Sequence, residues 1–137
     1  METIELERDL TVMYVDAASF PEGVLNAHER IHALVPPSRE RSYFGISRPE
    51  GPGIVYRAAA EQLDPGEKER FGLPSLVLRK GSYISRFVPD FMKDVSIIGR
   101  TFQELLQHPN LDTQGYCVEW YGEDGKNVTL MVRLQDQ

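Results

Sequence analysis

The sequence holds one cysteine, Cys117, so no disulfide can form within the chain and the fold must rest on its apolar core. That usage fits a reducing compartment, and a cytoplasmic protein is expected. A single thiol in the middle of an apolar stretch reads as buried and inert rather than nucleophilic. Positive charge is also in deficit: 21 acidic residues against 15 basic ones leave a formal charge of -6. That balance argues against nucleic acid or an anionic membrane as a direct partner. The bases that exist are scattered, at Arg39, Arg41, Arg48, Arg79, Lys80 and Arg86, and read as solvated surface. No apolar run approaches the ~20 residues needed to span a bilayer. The first residues, Met1 to Glu7, are acidic and alternating, unlike a signal peptide. Glycine-rich phosphate loops and a G-x-S-x-G elbow are missing, so no nucleotide cofactor and no serine triad is expected.

What is present suits one domain with one core. The chain has 137 residues, 41% of them hydrophobic. Residues 2 to 15 alternate as one long strand (Ile4, Leu6, Leu10, Val12, Tyr14). Pro21 and Glu22 suit the first turn of a helix, whose apolar positions are Val24, Ala27, Ile31, Leu34 and Val35 and which Pro36-Pro37 ends. Residues 41 to 47 and 54 to 60 read as a strand pair around the turn residues 48 to 53, and residues 61 to 74 as a connector. The order then repeats. A long strand runs around Gly81, from Leu76 to Val88, and Asp90 is placed to cap a helix with Val95, Ile98, Phe102, Leu105 and Leu106 on its apolar face. Strands at 116 to 121 and 128 to 134 flank the turn Gly122 to Gly125.

The two helices superpose at one constant offset, and an aromatic, Tyr43 or Tyr116, opens each following strand. The pattern predicts a single α+β domain over residues 1–137. It is built of duplicated β-α-β-β halves, pseudo-repeats 1–60 and 75–135, which form a largely antiparallel sheet with two main helices.

Two constellations could carry chemistry. His28-Glu29-Arg30-Ile31-His32 is a literal H-E-x-x-H, whose histidines could share a zinc ion from one helix flank. Against this, Glu29 points away from the apolar face and Arg30 sets a positive charge beside the would-be metal. The duplicated positions are Gly99 and Gln103, and no metal is expected. The second is the strand Gly115 to Tyr121, where Glu119 stands among aromatics. Cys117, Glu119 and Tyr121 share one face of it, and Tyr116, Val118 and Trp120 the other. The duplication sets Phe44 and Ile46 at the places of Cys117 and Glu119, so they are expected to face the same side. A carboxylate in an apolar strand needs a partner or a polar cavity. Two answers stand open: an ion pair with Arg57 or Arg133, or an organic cation that draws on charge and aromatic faces together.

Phe44-Gly45-Ile46-Ser47, Gly81-Ser82-Tyr83, Phe102 with Leu105-Leu106, and Glu119-Trp120-Tyr121 ahead of the strand 128 to 134 together resemble the GyrI-like (gyrase-inhibitor-like) small-molecule-binding family. The same module serves as effector-binding domain in AraC-type and MerR-type transcription regulators. The resemblance implies paired strand-helix-strand-strand halves with a central groove, an acid at its base that meets cationic lipophilic drugs, and a companion aromatic. Carried onto this chain, the acid is Glu119, its companion Tyr121 and a further aromatic Tyr83, with Phe44, Ile46, Tyr56 and Trp120 as additional ligand contacts. The chain starts directly with its first strand, so a free-standing binder of small organic ligands without DNA-binding activity is expected, with a second copy of the chain as a candidate partner. The resemblance also admits a hydrolase of electrophilic natural products with Glu119 as general base, or a protein inhibitor of DNA gyrase.

Overall fold

The computed structural model describes residues 1–136. Eight strands form one antiparallel sheet: β1 (Glu2–Leu6), β2 (Leu10–Asp16), β3 (Tyr43–Glu50), β4 (Gly53–Glu61), β5 (Ser75–Leu78), β6 (Gly81–Val88), β7 (Cys117–Tyr121) and β8 (Val128–Arg133). The helices are α1 (Val24–Leu34), a short α2 (Glu67–Phe71) and α3 (Ser96–Leu105), with a 3-10 turn at Phe91–Lys93. The class is α+β, as the repeated strand-helix-strand-strand order predicts.

The strand order is β1-β6-β8-β7-β3-β4-β2-β5. Each half contributes a three-stranded unit, β2-β4-β3 or β6-β8-β7, and the units join along β3 and β7. The outer strands are exchanged: β1 pairs with β6 of the second half and β5 with β2 of the first. The expected long strands at 2 to 15 and 76 to 88 are therefore each broken in two. The breaks force the sheet to curl. β1 and β2 stand six strand spacings apart, about 29 Å in a flat sheet, yet only residues 7 to 9 link them, a reach of about 14 Å. The two edges must come together, and the Lys80 amide donates to Asp9 Oδ1 at 2.9 Å where the crossovers meet. At the second crossover Gly81 takes φ 136°, and a Cβ there would lie 2.8 Å from the Arg133 guanidinium.

The two longer helices, α1 and α3, cover one face of the sheet. Ala27, Ile31 and Val35 of the α1 segment pack on Met13, Val15, Tyr43, Ala58 and Ala60. Phe102 and Leu105 of α3 pack on Ile84, Val88, Val128, Leu130 and Val132. The other face, inside the curl, buries Val12, Phe44, Ile46, Ala59, Leu78, Tyr83, Val118 and Met131. α1 stops at Leu34 because Val35, ahead of Pro36, takes the extended backbone that a following proline favours.

Three local expectations shift. Pro21 and Glu22 lie in a turn, and α1 begins at Val24. Asp90 caps nothing. It has a left-handed backbone before the 3-10 turn, and Asp94 accepts the Ser96 amide at the start of α3 instead. The constant helix offset slips by one at the C-terminal ends: Val35 is buried and Leu34 exposed, whereas Leu105 is buried and Leu106 exposed.

Candidate functional site

Between the two helices lies the joint of the halves, floored by β3 and β7. Gly45 of β3 stands directly opposite Glu119 of β7 on one side and Ala58 of β4 on the other. A Cβ on Gly45 would fall 2.0 Å from the Tyr56 hydroxyl oxygen and 2.6 Å from Glu119 Oε1. The missing side chain is thus what lets two residues on non-adjacent strands meet above β3. Tyr56 Oη donates to Glu119 Oε1 at 2.9 Å, and Tyr121 Oη donates to the same oxygen. Among the described residues Glu119 Oε2 accepts no hydrogen bond.

Glu119 is 7% exposed and has no cationic partner among the described residues. The two arginines weighed for it are engaged elsewhere. Arg57 pairs with Asp16 at 3.0 Å, and Arg133 with Asp112 and Asp136, each at 2.9 Å. Burial raises the Glu119 pKa, opposed only in part by the two tyrosine hydrogen bonds. Burial and then the nearby carboxylate raise Tyr56 and Tyr121 as well, so both hydroxyls stay protonated donors.

α1 adds His28, whose Nε2 lies 2.7 Å from Tyr56 Oη. Burial, then the charge of His32, lower its pKa to about 4, so the ring is neutral at physiological pH. Tyr56 has one hydroxyl proton and gives it to Glu119. The contact therefore needs His28 in its Nε2–H tautomer, which makes a short relay from His28 through Tyr56 to Glu119. Aromatic rings close the cluster. His28 meets Tyr56 and Tyr121 edge-on at 5.7 and 5.3 Å between centroids, Phe20 stacks on Tyr56 at 5.8 Å, and Phe91 lies against Tyr121 at 5.6 Å. Phe20 is 41% exposed, so it forms the outermost wall.

The structure separates the residues expected at one pocket. Glu119, Tyr121 and Tyr56 come together on the helix-covered face. Phe44 and Ile46 do not join them. The register sets Phe44 opposite Trp120 and Ile46 opposite Val118, so both face the interior of the curl. The expected correspondence between the halves was out by one residue, and a one-residue slip turns every side chain of a strand to the other face. Tyr83 is on that interior face too, its hydroxyl donating to the Arg79 carbonyl at 2.6 Å. Trp120 is half-buried beside Phe44, away from Glu119, as alternation predicts.

The sequence alone does not place Phe20 and Phe91 at the site, nor show that His28 meets Tyr56 or that Gly45 makes room for Glu119. Phe20 and Phe91 are separated by the same interval that carries Val24 onto Val95, which was a usable signal. The H-E-x-x-H pair divides: His28 faces Tyr56, and exposed His32 stacks on Tyr43 at 3.9 Å between centroids. Among the described residues no three His, Cys, Asp or Glu side chains are grouped to hold a metal ion. Burial raises the Cys117 thiol to about 11, which leaves it a poor nucleophile. No helix among the described residues is long and apolar enough to cross a membrane.

No protein-family profile and no curated protein sequence matches the chain. Solved structures do. An integron cassette protein from the mobile metagenome of Vibrio cholerae is 12% identical, over 98% of this chain and 95% of that one, with a TM-score of 0.69. SAV2435, solved bound to tetraphenylphosphonium, is 10% identical over 98% and 93% of the two chains, with a TM-score of 0.67. A hydrolase from Listeria innocua is 12% identical over 98% and 90%, with a TM-score of 0.55. At such identities the likeness is one of fold, and over nearly the whole of each chain.

Proposed function

We propose that this chain is a small-molecule-binding protein of the GyrI-like kind, that residues 1–60 and 75–135 are its duplicated halves, and that it takes organic cations in the groove over Glu119. One observation carries the reading: a buried carboxylate without a cationic partner, ringed by Tyr56, Tyr121, His28, Phe20 and Phe91. An unpaired buried anion is costly to the fold and is relieved by a ligand that brings a positive charge. The rings add attraction of their faces for that charge and apolar contact for the rest of the ligand. Tyr56 and Tyr121 fix the carboxylate, and Phe20 is the wall that must swing aside to admit a bulky molecule. The tetraphenylphosphonium bound to SAV2435, a chain of the same fold, supports this class of ligand and supplies the probe.

Titration calorimetry with tetraphenylphosphonium tests the reading. Glu119→Gln keeps the shape and removes the charge, and should weaken binding by about 1 to 3 kcal/mol. Equal affinity for the two proteins would end the charge role.

A second reading draws on the raised pKa of Glu119 together with the hydrolase of the same fold. A carboxylate lifted out of its ordinary range is a better general base, and water at Oε2 would be its substrate partner. Incubation with strained electrophilic natural products, followed by mass spectrometry, decides between the two. Catalytic turnover that is lost in Glu119→Gln supports the hydrolase, and stoichiometric binding without product rejects it.

A further inference from the structure

We infer that Glu119 is a proton-exchange site: before ligand enters it holds a proton on Oε2, and an organic cation binds by replacing that proton. The inference rests on the cation-binding reading and says how the charge is managed. Both tyrosine hydroxyls converge on Oε1, which leaves Oε2 as the oxygen without a protein donor. Any proton on the carboxyl belongs on Oε2, and any cation seeking the carboxylate meets the same atom.

Among the described residues no cationic side chain pairs with Glu119. From β4 comes Tyr56, and from β7 Tyr121 and Cys117, all three held in their neutral protonated forms by burial. From β3 comes Gly45, and the β8 residue opposite Glu119 is Leu130. α1 contributes His28, neutral at physiological pH, with His32 one turn further on and also lowered. The segments ahead of α1 and α3 bring Phe20 and Phe91, which do not titrate. Asp94 and Arg100 at the start of α3 pair with each other at 2.6 Å. Burial disfavours the charged carboxylate here more than the two phenol hydrogen bonds favour it, and either a proton or an incoming cation relieves that cost. The exchange balances: protein carboxylic acid plus organic cation gives the carboxylate–cation pair plus one proton released to solvent.

Calorimetry of tetraphenylphosphonium binding in two buffers of different ionisation enthalpy counts that proton, because the probe carries a permanent charge and no titratable group. The two heats should differ by close to the ionisation of one proton, and affinity should fall about tenfold per pH unit on the acid side of the Glu119 transition. Glu119→Gln should release no proton and lose the pH dependence. Binding with equal heats in both buffers and a flat pH profile would overturn the exchange while leaving the cation site standing. If the probe does not bind, the cation reading falls, and infrared spectroscopy of the protein alone decides the protonation. A carboxylic-acid carbonyl band at neutral pH, absent from Glu119→Gln, upholds the protonated Oε2. No such band overturns it.

Discussion

Two glutamates are buried in this molecule, and they are opposites. Glu67 of α2 is 4% exposed and Glu119 is 7% exposed. Glu67 faces Arg41 in a two-pronged pair, 2.8 and 3.1 Å, and also accepts the Leu63 amide at 2.6 Å. Arg41 and these hydrogen bonds lower its pKa to about 2. Glu119 has two phenols and no cation, and its pKa moves the other way. The first acid is satisfied within the chain and pins the connector to Arg41, just ahead of β3. The second has two hydrogen-bond donors but no cationic partner among the described residues. Burial alone says little about the task of a carboxylate; the identity of its partners says much more.

Four experiments break or sharpen that contrast. The largest effect belongs to Arg41→Ala, which strands Glu67 without its partner. Unfolding by urea should show a loss of about 3 to 5 kcal/mol, and little loss would mean that Glu67 resembles Glu119 after all. The Glu67 contribution should be fully present above the ordinary carboxylate range and should fade as pH falls toward about 2, since its folded pKa is the lowered one. Next comes Gly45→Ala, whose new methyl group overlaps Tyr56 Oη and Glu119 Oε1. A destabilisation of about 1 to 3 kcal/mol is expected, together with loss of tetraphenylphosphonium binding. Wild-type behaviour would show that the glycine is not what lets the two side chains meet.

The remaining two are smaller. Glu119→Gln should stabilise the protein at neutral pH by about 1 kcal/mol, because glutamine cannot ionise in the unfolded chain, whereas the buried acid resists ionisation in the folded one. The sign follows from linkage. A folded pKa raised above the unfolded one costs stability as pH rises through the interval between them, so the gain should vanish below the ordinary carboxylate range. A thermal melt in which Glu119→Gln is less stable at neutral pH would contradict an unpaired acid. Last, His28→Phe removes the donor to Tyr56 and should cost about 0.5 to 1.5 kcal/mol. In the proton-counting experiment it should leave the released proton in place, since the proton leaves from Glu119 and not from the ring.

The contrast also shows what was legible in the sequence. The hairpin of β7 and β8 is local, with alternation and a glycine turn inside twenty residues, and it could be read almost to the residue. Glu119 stood out because a period-two pattern makes a misplaced carboxylate visible. The strand breaks were hidden for the same reason. Ile4, Leu6, Leu10 and Val12 keep one parity across the break, so alternation runs on while the chain leaves one edge of the sheet for the other. Which strand of one half lies beside which strand of the other depends on register across β3 and β7. Side-chain type fixes that register only to within one residue, and one residue decides the face. Hence Phe44 and Ile46 went to the wrong side and Gly45, the neighbour that matters, was overlooked. His28 was read for its spacing to His32, whereas its contact is with Tyr56, twenty-eight residues away.

The exchange of the outer strands bears on how the molecule comes apart. β1 belongs to the first half in sequence and to the second in space, and β5 the reverse. Each half is thus handcuffed to its twin: melting one strips an edge strand from the other. Two look-alike halves would ordinarily be free to open as separate foldons. Here native-state hydrogen exchange should find a single one, with amides of β1 and β2 exchanging through the same global opening although five strands stand between them in the sheet.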